Sequence, residues 1–292
     1  MVGQMSLEVA VFGARSAMKA QEAGAQRIEL NASGSYFTGG LTPSVQELIS
    51  IAPTLKIPVR IMIRPAGHAL PTTGMVGQSD FDYSPFEFDL MQESIRAFKE
   101  AGVMNPVRGD GFVFGIVKKA PHARAITNLG SVDQDATQGN SPNGDYYVVD
   151  KERCNILTEL ASPFPCVFHR AFDPIAASDR MFQGLEDLQD CGFEGLLTSG
   201  GPGPHMGHVT KLASMVGYLQ GRLQVIVGGG VRASNAGQAV ATLGINEDDA
   251  VWLHSACLNT PKTNVTQETE VEMVDTVEIR DLLGEIQMTK RA

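Results

Sequence analysis

The chain has 292 residues, of which 43% are hydrophobic and 19% are charged. This composition is typical of a folded globular protein and excludes a chain that is disordered throughout. The formal net charge of −10 argues against nucleic acid or an anionic membrane surface as the main partner, although it leaves room for a local basic pocket that binds a small anion.

Cysteine usage indicates the compartment. Cys154, Cys166, Cys191 and Cys257 are far apart and form no CxxC pair, which is typical of reduced intracellular thiols. The first residues show no basic segment followed by an apolar one, and no stretch approaches 18 uninterrupted apolar residues. We therefore expect a soluble protein of the cytoplasm, with the nucleus as a second location, and no membrane partner.

Short apolar runs rich in β-branched residues predict eight buried strands. The runs begin near Leu7, Arg27, Val59, Gly111, Cys166, Glu194, Leu223 and Asp249. They are continuous rather than alternating, as expected for parallel strands that are covered on both faces.

Between these runs, apolar residues at helical spacing predict amphipathic helices. The members of three such stripes are Phe88, Met91, Ile95 and Phe98; Met181, Phe182, Leu185 and Leu188; and, near the end of the chain, Val274, Val277, Leu282 and Ile286. Glycines stand where four helices should end before the next strand, namely Gly24, Gly102, Gly192 and Gly244. Glycine tolerates the left-handed backbone that closes a helix, so this pattern indicates repeated βα units.

Eight βα units predict one α/β domain over residues 1–292, a single (β/α)8 TIM-type barrel. A polar, mobile insertion is expected after the fourth strand at 120–145, and a connector at 259–270 leads to the C-terminal helix. An open doubly wound sheet is the alternative. The segment VFGARSAM after the first strand has a single glycine and no GxGxxG, so we expect no nucleotide cofactor.

In such a barrel the carboxyl ends of the strands meet at one mouth, where active sites lie. The residues at the predicted strand ends are unusually polar, which favours a shared pocket there over coincidence. They are Glu29, Asn31, Arg64, Lys118, His169, Arg170, Thr198, Ser199, Gly228 to Gly230 and His254.

Glu29 is a carboxylate within an apolar strand, where an unpaired charge would be costly. Arg64 is its most plausible partner, because guanidinium and carboxylate groups pair bidentately. The two could form a structural ion pair, or Glu29 could be a catalytic acid or base with a shifted pKa. Pro65 turns the chain directly after Arg64, and this placement slightly favours anion binding by that arginine.

His169 closes the predicted fifth strand, and Asp173 follows it within VFHRAFD. Histidine exchanges protons near neutral pH, and Asp173 could orient its ring. A histidine that only satisfies hydrogen bonds is the equally weighted alternative. His254, which closes the eighth strand, is a weaker candidate of the same kind.

Two glycine clusters point to an anion. Ser199 and Gly200 follow the sixth strand, whereas Gly229 and Gly230 follow the seventh and lead through Arg232 into a helix that contains Asn235. Backbone N–H groups at a helix N-terminus bind anions, and barrels often place phosphate near strands seven and eight. The alternative is that the glycines only form tight βα turns.

His205, Met206 and His208 form one further cluster. Histidine and methionine at close spacing suit a soft ion such as copper(I), although two solvent-facing histidines at the start of a helix are the more common occurrence. No HExxH motif, zinc spacing or GxSxG elbow is present.

Six collinear motifs resemble the CutC copper homeostasis family. They are RIELNASGSYFTGGLTPS (27–44), IPVRIMIRPAG (57–67), VFHRAFD (167–173), LLTSGG (196–201), VGGGVRASN (227–235) and LHSA (253–256). The resemblance implies a TIM-type barrel, a cytoplasmic or nuclear homo-oligomer and a role in copper handling. Position by position, it also implies the same polar mouth: Glu29, Arg64, His169, Arg170, Asp173, Ser199, Arg232, Asn235 and His254.

The chain departs from the resembled family at two cysteines. Members implicated in copper binding carry cysteine in the first strand and at the end of the second, where this sequence has Ala10 and Asn31. Neither side chain supplies a thiolate, so that copper(I) site cannot form here. Copper would need other ligands, either His205, Met206 and His208 or Cys257.

Two functional hypotheses follow. The first is a CutC-like copper homeostasis or copper-binding protein. The second is a TIM-barrel enzyme that acts on a small phosphorylated or carboxylated substrate, with Glu29 and His169 as the acid–base pair. A third hypothesis is a pseudo-enzyme that is retained for assembly, which predicts an intact mouth without catalytic turnover.

Overall fold

The computed structural model describes residues 5–66, 80–120, 146–245, 249–258 and 272–289. Almost all of the predicted insertion at 120–145 and the whole of the predicted connector at 259–270 lie outside these residues. None of the helices in the described ranges is long and apolar enough to cross a membrane.

Eight parallel strands close into a barrel, which confirms the predicted (β/α)8 fold. The strands are β1 (Ser6–Phe12), β2 (Arg27–Asn31), β3 (Val59–Met62), β4 (Gly111–Phe114), β7 (Cys166–Phe168), β8 (Gly195–Thr198), β9 (Gln224–Val227) and β10 (Val251–Ser255). Around the barrel they follow the order β1-β10-β9-β8-β7-β4-β3-β2. The first and last strands are therefore neighbours, and Glu8 lies opposite His254 at their junction.

A second, antiparallel sheet follows the fourth barrel strand. It consists of β5 (Val117–Ala120) and β6 (Tyr146–Val149). The apolar run from Gly111 to Val117 predicted one strand, but the chain leaves the barrel at Gly115, where an added Cβ would lie 2.7 Å from His169 Nδ1. Lys118 is therefore not at the mouth, and its Nζ lies 3.5 Å from Asp150 Oδ1.

The helices alternate with the barrel strands. They are α1 (Ala14–Ala23), α2 (Val45–Ile51), α3 (Pro85–Glu100), α4 (Lys151–Ala161), α5 (Asp173–Ala176), α6 (Met181–Asp190), α7 (Val209–Leu219), α8 (Ala233–Leu243) and α9 (Thr276–Thr289). Ser44 and Ser84 begin α2 and α3 with capping boxes, in which serine and glutamate side chains satisfy backbone N–H groups. The four predicted terminal glycines all have positive φ, as expected for helix ends.

Two predicted stripe positions are wrong. Phe182 is 43% exposed and contacts the Tyr218 ring at the surface, with the ring centroids 4.7 Å apart. Val277 is 59% exposed, because the buried face of α9 is formed by Ile279, Leu282 and Ile286. These three positions have the i, i+3, i+7 spacing of one helix face.

The core has two parts. A large apolar cluster lies between the barrel and its helices, and a smaller one fills the inside of the barrel. The inner cluster comes from six consecutive strands: Met62, Val113, Val167, Leu197, Ile226 and the partly buried Trp252. The other two strands, β1 and β2, contribute the buried charged residues Glu8, Arg27 and Glu29. Arg60 on β3 is also buried and interacts with Glu8 and Arg27, so the ionic part of the barrel interior extends from β1 to β3.

Candidate functional site

A pocket of about 380 Å³ opens at the carboxyl ends of the barrel strands. This volume lies within the range of small-molecule sites. Its described lining includes ten of the predicted mouth residues: Glu29, Asn31, Arg64, His169, Arg170, Asp173, Gly229, Gly230, Arg232 and His254. Ser199, Gly200 and Asn235 do not line it.

Arg64 is buried at the end of β3 without a carboxylate partner among the described residues. Its Nη1 donates to the carbonyl oxygens of Thr38 at 2.8 Å and Gly40 at 3.1 Å, and its guanidinium lies 5.1 Å from the centre of the Phe81 ring. Among the described residues, Nε and Nη2 have no hydrogen-bond partner, and the guanidinium also interacts with the buried Tyr83 side chain. The predicted ion pair with Glu29 is not formed, so within the described ranges Arg64 keeps two buried donors and no carboxylate partner in a pocket wall.

Glu29 lies on β2 and is 3% exposed. The Nδ2 group of Asn31 donates to Oε1 at 3.1 Å, whereas Oε2 has no partner. Burial and the nearby charge of Glu8 raise the pKa of Glu29, and the positive charges of His254 and Arg27 only partly oppose this shift. A carboxyl group with a raised pKa and a free oxygen in a pocket has the properties of a general acid or base.

Beneath the pocket, Glu8 bridges two cationic side chains. Its Oε2 pairs with Arg27 Nε, and its Oε1 lies 2.7 Å from His254 Nδ1. Burial alone would raise the pKa of Glu8, but Arg27 and His254 outweigh it and lower the pKa to about 2. The two carboxylates Glu29 and Glu8 in turn raise the pKa of His254 against the effect of burial. Glu8 is therefore ionised, and it favours a protonated His254.

His169 follows β7 at the pocket wall. Its Nδ1 accepts a hydrogen bond from the Ala171 N–H at 3.3 Å, and its ring contacts Phe81 with a centroid separation of 4.7 Å. Burial and the charge of Arg64 lower the pKa of His169 to about 3, so the ring is neutral. Because Nδ1 is an acceptor, the proton of the neutral ring lies on Nε2. Nε2 has no partner in the part of the chain that the structure describes, so it is available as a donor there.

Asp173 does not orient His169, contrary to the prediction. Its carboxylate accepts hydrogen bonds from Thr198 Oγ1 at 2.6 Å, from Ser199 N at 3.0 Å and from Ser199 Oγ at 2.9 Å. Arg170 Nε donates to the same group at 2.8 Å. Asp173 therefore anchors the end of β8 to the segment that follows β7, and it neutralises Arg170.

The glycines after β9 differ from those after β8. Gly229 and Gly230 have φ of 91° and 81°, and within the described ranges neither amide reaches a backbone acceptor. An added Cβ on Gly230 would meet nothing within 4 Å, so the ligand side of this loop is open. The amide of Gly200 is used instead, since it donates to Thr198 Oγ1 at 2.9 Å.

Two more predicted anion ligands have local roles. Asn235 begins α8 by accepting from the Arg232 N–H at 2.9 Å and donating to the Gly230 carbonyl at 3.0 Å. The single hydroxyl hydrogen of Ser199 is shared between Asp173 and the carbonyl oxygen of Gly201, which lies 2.6 Å from Oγ. Arg232 itself remains in the pocket lining, with Nη1 held by the Val231 carbonyl and by Ser255 Oγ.

The predicted copper ligands after β8 point to backbone carbonyls. His205 is buried, and its Nδ1 lies 2.8 Å from the Gly229 carbonyl oxygen. His208 Nε2 lies 2.9 Å from the carbonyl oxygen of Pro202. These rings connect loops, and neither they nor Met206 line the pocket.

Several pocket and network residues were missed by the sequence reasoning. The most important are Glu8 and Arg27, because they set the charge of His254. Glu8 carries the same signal as Glu29, a carboxylate inside an apolar strand, and the same argument would have found it. The aromatic wall of Phe12, Tyr36 and Phe81 gave no such signal, since isolated aromatic residues are common in loops and cores.

The fold and site define a (β/α)8 barrel with a polar pocket at the carboxyl ends of its strands, the usual place for small-molecule chemistry in this architecture. A model described as the CutC family matches residues 5–122 and 133–254. The chain therefore belongs to the CutC family.

Individual relatives agree with this assignment. The copper homeostasis protein cutC homolog of Mus musculus is 33% identical over 245 residues, which cover 82% of this chain and 71% of the relative. A CutC family protein of Vibrio vulnificus is 32% identical and covers 82% and 78% of the two chains. The crystal structure of a putative copper homeostasis protein CutC from Streptococcus agalactiae has a TM-score of 0.64 at 23% identity, covering 87% of this chain and 99% of that one, and shows the shared fold.

The copper link of these relatives can be tested against the residues present. Ala10 and Asn31 both line the pocket, and no cysteine is among its described lining. All four cysteines are buried and unpaired, and burial raises the pKa of each thiol, to about 12 for Cys166 and about 11 for Cys191 and Cys257. Copper(I) prefers thiolates, which these environments disfavour. The residues do not fit a copper(I) thiolate site.

Proposed function

We propose that the pocket binds a small organic anion, carboxylated or phosphorylated, and transfers a proton on it. One observation carries this proposal: buried polar atoms of three lining residues have no hydrogen-bond partner among the described residues, namely Arg64 Nε and Nη2, His169 Nε2 and Glu29 Oε2. Leaving such groups unpaired costs about 1–3 kcal/mol each, so a ligand that satisfies them gains that free energy on binding.

Two of the three residues would act as hydrogen-bond donors, and the third would accept a proton. Arg64 and the neutral His169 would donate to an anionic or carbonyl oxygen of the ligand. Glu29, whose pKa is raised by burial, would accept a proton from the adjacent carbon or hydroxyl. When the proton comes from carbon, the electron pair of the broken C–H bond moves onto the carbonyl or carboxylate oxygen that Arg64 and His169 hold. As that pair moves back, Glu29 returns the proton to the same carbon. His169 thus acts as a donor and not as the base of an acid–base pair.

Thermal denaturation with a panel of phosphates, sugar phosphates and small carboxylates tests the binding. A ligand at 100-fold excess over its Kd should raise the Tm by about 5 °C, and Arg64→Ala should abolish the shift that carboxylates produce. Arg96→Ala removes an exposed arginine of α3 and should leave the shift unchanged. His169→Phe checks the result if Arg64→Ala is too unstable. The absence of any shift with wild-type protein would refute the proposal.

Proton transfer is tested separately by NMR in D2O. Wild-type protein should exchange a C–H next to the carbonyl or carboxylate of a bound ligand, and Glu29→Gln should bind the ligand but not exchange it. Exchange at the wild-type rate in Glu29→Gln would remove Glu29 from this role.

Copper binding is the second candidate function, and the Glu8–Glu29–His254 cluster favours it. One ligand atom from each of these residues lies within 4.8 Å of the others. Two carboxylate oxygens and an imidazole suit copper(II) better than copper(I). Such an ion would have to displace the His254 proton and compete with Arg27 for Glu8. Titration calorimetry with copper(II) should then give one site per chain that is weakened at least tenfold by Glu29→Gln; equal binding by that variant would exclude the cluster.

The proposal places the protein in the cytoplasm or nucleus, because four free cysteines suit a reducing compartment. Self-association, which the family resemblance implies, is part of the same proposal. Fluorescence microscopy and analytical ultracentrifugation would test these two points.

A further inference from the structure

The pocket contains two groups of anion-binding elements, and the order of the strands places them on opposite sides. Arg64 follows β3, whereas Gly229 and Gly230 follow β9. Going around the barrel from β3 through β4, β7 and β8 to β9 takes four steps, and going the other way through β2, β1 and β10 also takes four. The two elements are therefore diametrically opposed.

The geometry of an eight-stranded barrel gives the distance between the two opposite strands. Eight strands about 4.8 Å apart and tilted by about 36° place opposite backbones roughly 15 Å from each other. The Arg64 guanidinium is bound to the carbonyl oxygens of Thr38 and Gly40, in the segment after β2, so it stays on its own side of the mouth. A single phosphate or carboxylate is too small to contact both elements.

The two anion-binding elements offer different kinds of hydrogen-bond donor. Arg64 and His169 form one group because both side chains contact Phe81. They are 2% and 3% exposed and keep three nitrogen atoms without a partner among the described residues. On the β9 side, the amides of Gly229 and Gly230 precede the 11-residue helix α8, and Arg232 adds a positive charge. The first N–H groups of α8 are taken, because Arg232 N donates to Asn235 Oδ1 and Ala233 N donates to Glu278 Oε1 of α9. The amides of Gly229 and Gly230, beside Arg232, suit phosphate, whereas a buried arginine with a neutral histidine donor suits a planar carboxylate.

We propose that the ligand is a bis-anion, with a phosphate on the Gly229–Gly230 loop and a carboxylate on Arg64 and His169, joined by a short carbon chain. This inference rests on the proposed function and specifies its substrate class. Glu29 on β2 and His254 on β10 lie on the arc between the two anion-binding elements. The connecting carbon chain would therefore pass Glu29, the proposed proton acceptor.

A matched series of three-carbon compounds tests the inference with the intact chain. Glycerol 3-phosphate carries only the phosphate, glycerate carries only the carboxylate, and 3-phosphoglycerate carries both. Titration calorimetry should give a Kd for 3-phosphoglycerate, or for the longer 6-phosphogluconate, at least tenfold below that of either single anion.

Variants assign each end of the bis-anion. Arg64→Met should weaken the bis-anion to the affinity of glycerol 3-phosphate and leave binding of that compound unchanged. Arg232→Met should weaken glycerol 3-phosphate and spare glycerate, and Arg96→Ala should alter none of the affinities. Circular dichroism would confirm that each variant is folded.

The failures of the two proposals are distinguishable. If no probe binds to wild-type protein, the proposed function and this inference both fall. If the single anions bind but both bis-anions gain less than threefold over the better single anion, the pocket holds one anion only. In that case the inference is overturned while the proposed function stands.

Discussion

His254 Nδ1 lies 2.7 Å from Glu8 Oε1, across the junction between the last and first strands of the barrel. The second oxygen of Glu8 pairs with Arg27, whose guanidinium lies 3.9 Å from the centre of the Trp252 ring. One buried carboxylate thus connects three adjacent strands and sets the charge of a histidine in the pocket wall. Glu8 therefore belongs to the candidate site although it does not line it.

Replacing Glu8 by glutamine should destabilise the protein strongly. Arg27 would keep its charge in the barrel interior without a carboxylate, and removing one partner of a buried pair costs about 3–5 kcal/mol. Urea denaturation would measure the change in the free energy of unfolding. Glu93→Gln, the same change at an exposed position of α3, should cost less than about 0.5 kcal/mol. A loss below 1 kcal/mol in Glu8→Gln would contradict this account.

The acid stability of the protein should depend on the same carboxylate. The pKa of Glu8 is lowered from 4.5 to about 2 on folding. Its stabilisation is therefore complete above pH 4.5 and is lost as the pH falls toward 2. Across that window the free energy of unfolding of wild-type protein should fall more steeply than that of Glu8→Gln. Parallel slopes for the two proteins would show that Glu8 is not held ionised by its partners.

The two pocket histidines should behave oppositely in NMR. His169, with a pKa lowered to about 3, should show the neutral ring with its proton on Nε2 throughout pH 5–8. His254, whose pKa is raised by the two carboxylates, should keep its second proton above pH 6.5, the ordinary histidine value. Nitrogen-15 spectra of the imidazoles would report both forms, with His169→Phe assigning the signals. A His169 ring that titrates near 6.5 would contradict the described burial.

Asp173→Asn should weaken the link between β7 and β8. The carboxylate accepts four hydrogen bonds from Thr198, Ser199 and Arg170, whereas an asparagine must turn its NH2 group toward some of these donors. We expect a loss of about 2–4 kcal/mol in the free energy of unfolding. Asp89→Asn, at an exposed position of α3, is the matched control. Equal stability of the two variants would argue that Asp173 is not an anchor.

Two helical glycines should respond in opposite ways to alanine. At Gly184 in α6, an added Cβ would lie 2.8 Å from both Ile175 Cγ2 and Phe172 Cε2, so steric strain should exceed the gain in helix propensity. At Gly217 in α7, nothing lies within 4 Å. Gly184→Ala should lose about 1–2 kcal/mol, and Gly217→Ala should gain about 0.5–1 kcal/mol. Thermal denaturation of both variants checks this pair, and stabilisation by Gly184→Ala would contradict the packing described.

The barrel was predictable because its signals are local. Each strand is a continuous apolar run, and each glycine at a helix end needs a positive φ that only its neighbours determine. The predictions of strands and helix faces were wrong where the tertiary environment of a residue differs from what its local sequence pattern indicates. The apolar run after Gly111 continues into Val117 without a break in hydrophobicity. The sequence therefore has no signal for the change from the barrel to the second sheet at Gly115.

The residues that line the pocket were predictable, but the hydrogen bonds and ion pairs between them were not. Glu29, Arg64 and His169 line one pocket because parallel strands align their carboxyl ends. Which groups bond depends on side-chain direction, which spacing does not encode. Arg64 turned to the carbonyls of Thr38 and Gly40, and Asp173 turned to β8, so neither predicted partner is contacted.

Since Glu8 stands on the first strand and His254 on the last, more than 240 residues of synthesis separate the two halves of one contact. In a nascent chain Glu8 can pair with Arg27, 19 residues further on, long before His254 is synthesised. The barrel cannot close until its last strand is synthesised, so the contact that favours a protonated His254 forms only then.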